Sequence, residues 1–147
     1  MNELDLGVRR HVYRRFVELG RAPTLAELRD ELGLDDVEVE LRRLHEAHAL
    51  VLEPGSGEIR MANPFSAVPT PYRVEAGGRS WYANCAWDAF GIPAALHVEG
   101  HVTAACPDCR EPLEIDLGGS HEGPTPDDQI FHVLVPAAHW WDDIVFT

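Results

Sequence analysis

The stretch "RVEAGGRSWYANCAWDAFGIPAALH", residues 73–97, changes period in its middle. Its first half alternates around Gly77 and Gly78, which predicts a β-hairpin. Its second half, from Asn84 to about Leu96, reads as a helix, with Asn84 as its cap and Cys85 at its first helical position. Pro93 is expected to bend or shorten that helix. A hairpin feeding directly into a helix predicts a mixed α+β unit. Downstream, "VEGHVTAAC" (98–106) and "EPLEIDL" (111–117) read as two strands joined across "CPDCR", and "IFHVLVP" (130–136) and "DIVFT" (143–147) as two more. The run "GGSHEGPTPDD" at 118–128 reads as a polar loop.

Upstream the period is helical. Val8, Val12, Tyr13, Phe16 and Val17 form one stripe that Gly20 is placed to end. Thr24 and Glu27 fit a capping box ahead of Leu25, Leu28 and Leu32, and Gly33 stops that short second helix. Asp35 or Asp36 caps a third, with Val37, Leu41, Leu44 and His48 on its apolar face. "LVLEPGSGEIRMA" (50–62) then offers two short apolar runs around a Pro-Gly-Ser-Gly turn, a hairpin. Three helices and a hairpin predict a winged-helix-like module over 1–62. The proline-rich 63–72 is expected to link or cross into an α+β domain over 73–147.

The charge pattern narrows the possible partners. All twelve basic residues are arginine and the formal net charge is −13. The outward positions of the third helix include Asp36, Glu38, Glu40 and Glu46 against Arg42 and Arg43. Insertion into a DNA groove would set those carboxylates beside phosphates, so the module is expected to pack rather than to bind DNA. No apolar run is long enough to span a bilayer and no secretory segment opens the chain, so a cytoplasmic location and no membrane partner are expected.

Three cysteines, Cys85, Cys106 and Cys109, cannot all pair with one another, which suggests thiols or metal ligands. A thiol in the first turn of a helix is favoured as thiolate, and Asp88, three residues on, lies on the same face where it can hold or deliver a proton. On spacing alone, a lone Cys-x-x-Asp is more often packing and capping than chemistry. The Cys-x-x-Cys of "CPDC" can form half of a zinc ribbon, for which Cys85, His97 or His101 would have to supply the missing ligands; the other reading is a reduced turn with one buried and one exposed thiol. The tryptophan pair of "HWWDD" (139–143) either walls an apolar pocket or packs in the core, with at least one ring buried.

The run "NCAWDAFGIPAAL", followed by strand, cysteine-containing turn and strand with Cys106 twenty-one residues after Cys85, resembles the alkylmercury lyase (organomercurial lyase, MerB) family. The similarity covers most of the chain and is sharpest from Trp81 to Leu117. The family is similar also in carrying a winged-helix-like segment that does not serve to bind DNA. The resemblance implies protonolysis of carbon–mercury bonds in a small organomercurial, giving hydrocarbon and mercury(II) with no cofactor required. It implies Cys85 as a mercury-binding thiolate and Asp88 as the proton shuttle. Cys106 matches a cysteine used structurally in that family, and Cys109 has no counterpart in its pattern.

The family's second mercury-binding cysteine is expected shortly after "HWWDDIVFT", where this sequence has none. Three arrangements are compatible with that. The chain is a truncated product; Cys106 or Cys109 substitutes in space; or the protein is a relative that binds without cleaving. The site is expected to be walled by Trp81, Trp87, Trp140 or Trp141. The competing expectation is a non-enzymatic metal- or thiol-binding protein, such as a zinc-stabilised winged-helix regulator holding metal on Cys106 and Cys109. A third is a packing domain of a larger assembly, marked by an exposed apolar surface.

Overall fold

A computed structural model describes residues 2–118 and 130–145. Helices α1 (Glu3–Leu19), α2 (Leu25–Leu32) and α3 (Val37–Glu46) come first, and strands β1 (Val51–Leu52) and β2 (Ile59–Ala62) form a hairpin after them. Helices α1 and α2 end, and α2 begins, where the sequence marks it, whereas Asp36 precedes α3 without a side-chain cap bond. Thr24 and Glu27 make a reciprocal capping box, and Gly20 and Gly33 close α1 and α2 in the left-handed conformation that costs a glycine little. Helix α1 starts earlier than its apolar stripe suggests, because Asn2 and Asp5 form a second capping box. Helix α3 ends at Glu46, so His48, at φ 58°, has left the helical face expected for it.

The rest of the chain extends the hairpin into a seven-stranded sheet of order β1-β2-β3-β5-β4-β6-β7, antiparallel at every pairing. Its further strands are β3 (Phe65–Ser66), β4 (Arg73–Ala76), β5 (Arg79–Ala83), β6 (Gly100–Ala105) and β7 (Pro112–Leu117), with α4 (Ala86–Leu96) between β5 and β6. The β4–β5 hairpin turns on Gly77 and Gly78, both at positive φ. The segment 63–72 does more than link: Phe65 pairs with Ala62 on one side and Ala83 on the other, joining the early hairpin to the later strands.

One core serves both parts of the chain. Val12 and Phe16 of α1, Leu41 and Leu44 of α3, Phe65 of β3, Val74 of β4, Trp81 of β5 and Ile92 of α4 belong to a single buried cluster. Phe65 is stacked on Phe16 at 5.3 Å and tilted against Trp81 at 5.8 Å. The Trp81 indole N–H donates to the Phe16 carbonyl at 2.7 Å, satisfying a polar group that burial would otherwise leave unpaired.

The expectation for the C-terminal part needs correction. Residues 130–136 form no strand; they run irregularly into a 3-10 helix at Ala137–Asp142. A short apolar run suits a strand, but a strand also needs an edge to pair with, and residues 131–135 line a cavity instead. Of "DIVFT", residues 143–145 are not a strand and 146–147 lie outside the described residues. The loop expected at 118–128 lies, beyond Gly118, outside them as well. Among the described residues no helix is long and apolar enough to cross a membrane.

Candidate functional site

The site forms where the chain leaves the middle of the sheet. Ala83, fully buried, is the last residue of β5, and α4 begins three residues later. Thr70 ties this end of the sheet together: its hydroxyl donates to the Ala83 carbonyl at 2.6 Å, and the Ala83 amide donates to the Tyr72 carbonyl at 3.0 Å. Cys85 follows in extended conformation and is itself the cap of α4, its carbonyl accepting from the Ala89 amide at 3.0 Å. By sequence the cap falls at Asn84, with Cys85 one position later. The shift frees the Asn84 side chain to act as a clamp, its amide donating to Asp88 Oδ2 at 3.1 Å, Asn63 Oδ1 at 3.0 Å and the Phe65 carbonyl at 3.3 Å. Asp88 is thereby held one turn along α4 from Cys85.

Burial dominates the electrostatics of this pair. It raises the Cys85 thiol, against backbone amides of Asp88 and Trp87 that pull the other way, and the neighbouring Asp88 carboxylate raises it further. The thiolate expected at a helix N-terminus is thus replaced by a resting thiol, because desolvation outweighs the amides. Burial also lifts the Asp88 carboxyl above its ordinary value, although Asn84 and Cys85 both donate to it. Cys85 thus rests as a thiol beside a carboxylate that takes up a proton more readily than an ordinary aspartate.

They face a cavity of about 280 Å³ lined by Tyr72, Asn84, Cys85, Asp88, Met61 and residues 131–135, with Trp87 and Trp140 on its wall. The four tryptophans divide. Trp81 is buried in the core and Trp141 stacks on His48 at 4.2 Å, so neither walls the site, and neither Trp140 nor Trp141 is fully buried as expected. The Trp140 indole is fixed by donation to the Val135 carbonyl at 2.7 Å. Phe131 packs against Trp87 and Phe90, and Ile130 and Leu134 are left strongly exposed.

Tyr72, Asn63 and Met61 carry no signal in the sequence that marks them for the site. Tyr72 sits in a proline-rich run with no periodicity, yet burial, then the proximity of Cys85, raises its phenol. Cys106 and Cys109 lie in the β6–β7 turn and line no part of the Cys85 cavity among the described residues. Nor do His97 or His101 join them: no group of three or more His, Cys, Asp or Glu side chains suited to a metal occurs among the described residues. His101 instead pairs with Asp116 at 2.6 Å. Amides of Cys109 and Asp108 and the Cys109 thiol lower Cys106 below an ordinary thiol.

Comparison with known proteins gives a family and a fold. A family model described as alkylmercury lyase matches residues 65–147. A solved structure described as the mercury-bound form of MerB2 superposes with a TM-score of 0.67 at 23% identity, over 86% of this chain. The chain spans 62% of the length of that structure. No curated protein matches.

Proposed function

The chain belongs to the alkylmercury lyase family, and from that premise we propose that it takes a small organomercurial into the Cys85 cavity and cleaves its carbon–mercury bond. The observation that carries this reading is the pairing of a half-buried thiol with a half-buried carboxyl one turn apart, the carboxyl held in place by Asn84.

The chemistry follows from the two raised acids. A soft cation displaces the thiol proton, because a coordinating sulfur is deprotonated outright. Cys85–SH and R–Hg⁺ thus give Cys85–S–Hg–R, and the released proton passes to the Asp88 carboxylate. Asp88 then returns that proton to the carbon as the carbon–mercury bond breaks, releasing R–H and leaving mercury(II) on sulfur beside a carboxylate. One proton moves from thiol to carboxyl to carbon, and no outside acid is needed. Desolvation of the cavity strengthens the field of the carboxyl on the developing carbanion. The apolar lining from Met61, Trp87, Phe131, Val133, Leu134 and Val135 suits the organic group.

One observation favours a second reading, binding without cleavage: among the described residues Cys85 is the sole thiol lining the cavity. A single sulfur donates less electron density to mercury than two and holds the inorganic product less firmly. Incubation of the reduced protein with phenylmercury, following mercury bound per chain and benzene released, separates the two. Release that disappears in Cys85→Ser supports cleavage; binding without benzene supports the second reading; equal binding by Cys85→Ser and the parent refutes the site.

A further inference from the structure

The β6–β7 turn carries a pair of thiols that this mechanism does not use. Its backbone is pinned at both ends, with the Cys106 amide donating to the Glu111 carbonyl at 2.9 Å and the Arg110 amide to the Cys106 carbonyl at 3.0 Å. Arg110, at φ 65°, makes the reversal. This closes the turn and sets Cys106 and Cys109 three residues apart on one reversal, where the amides of Cys109 and Asp108 and the Cys109 thiol lower the Cys106 sulfur below an ordinary thiol. The Glu111 carboxylate lies 3.6 Å from Cys109 Sγ. Cys109 is exposed and Cys106 half-exposed, and both are free.

We propose that Cys106 and Cys109 form a second soft-metal site, distinct from Cys85, that binds mercury(II) between two sulfurs. Ligand number selects the ion. A structural zinc site needs four donors, and no cluster of even three exists here among the described residues. Two thiolates with no further ligand suit a soft, polarisable cation that is content with two sulfurs. Binding is balanced as two thiols and Hg²⁺ giving S–Hg–S and two protons, with no redox partner. Holding both sulfurs on one turn makes capture by the second intramolecular, so the pair outcompetes free monothiols that must bind one at a time. The neighbouring carboxylates of Asp108 and Glu111 favour a cation over an anion at this turn. Mercury as the natural cargo rests on the lyase reading, since the product of that reaction is the ion this turn suits.

The test uses mercuric chloride alone, so it stands or fails separately from hydrocarbon release. Reduced, oxygen-free Cys85→Ser protein is loaded with mercuric chloride, dialysed against a millimolar monothiol and analysed for metal and for sulfur-to-mercury charge-transfer absorption. The expected result is one mercury retained per chain, falling at least about tenfold in Cys85→Ser/Cys109→Ser. Because Cys109 is exposed, that change leaves the core intact, and circular dichroism of the two proteins checks this. No retention by Cys85→Ser, or equal retention by both proteins, overturns the proposal. So does a parallel loading with zinc that leaves one zinc per chain, lost with Cys109→Ser.

Discussion

Replacing Gly100 with alanine tests how α4, and with it Cys85 and Asp88, is seated on the sheet. Gly100 has no positive φ, so alanine suits its backbone, and in a strand the change alone would gain about 0.5–1 kcal/mol. The obstacle is Pro93. An added Cβ would lie 2.8 Å from Pro93 Cβ and closer still to Pro93 Cγ, with the Glu75 carbonyl at 3.5 Å behind it. Pro93 is buried and its ring cannot swing aside, so helix and strand must part. Overpacking of this kind costs about 1–3 kcal/mol, which for a chain of this length lowers Tm by about 3–10 °C. The decisive assay is a double-mutant cycle read by thermal or urea melts. Gly100→Ala is expected to destabilise the parent, and to cost clearly less in a Pro93→Ala background, where the nearer Cγ contact is gone and only the 2.8 Å Cβ contact remains. The same loss in both backgrounds would refute the contact as its cause.

Other outcomes follow from the same geometry. Asp88→Asn is expected to keep mercury binding and to slow benzene release by about 10²–10⁴-fold, measured in a single turnover. In the parent, the single-turnover rate falls as pH rises through the raised value of Asp88, since only the protonated carboxyl delivers to carbon. Trp81→Phe removes the donor to Phe16 and part of a buried ring, costing about 2 kcal/mol, seen as a lower urea midpoint at unchanged slope. His101 is raised by its bond to Asp116, so its contribution is complete below its unfolded value of 6.5 and is lost as pH rises through the higher folded value. The stability gap between parent and His101→Gln is therefore expected to be larger at about pH 5.5 than at about pH 8.5.

Local chemistry makes much of this architecture legible. Thr24 with Glu27, Gly20, Gly33 and the Gly77–Gly78 pair each dictate a backbone event within a few residues, and each event occurs where the sequence places it. The Cys85–Asp88 pair is legible for the same reason, one helical turn being a local distance. What escapes depends on contacts between distant segments. Phe65 becomes a strand residue because Ala62 and Ala83 flank it, and residues 130–136 miss becoming one although they form an apolar, β-branched run. The state of the Cys85 thiol differs from expectation because helix position is written in sequence, whereas desolvation by Tyr72, Met61 and residues 131–135 comes from elsewhere in the fold. Asn84, a cap by sequence, serves instead as the clamp on Asp88, a difference of one residue in where α4 starts.

The ends of the sheet bear on how the protein behaves when concentrated. Exposed strand edges are templates for pairing with another copy, the route to fibres. At one end β1 is only two residues long, too short to seed a ladder. At the other, β7 begins with Pro112, which has no N–H to donate, and turns the side chains of Glu114 and Asp116 to solvent. A second copy adding antiparallel to this edge would bring its own Glu114 and Asp116 against the same carboxylates. Repulsion between the two carboxylates of each copy opposes the register that would otherwise let sheets grow from chain to chain.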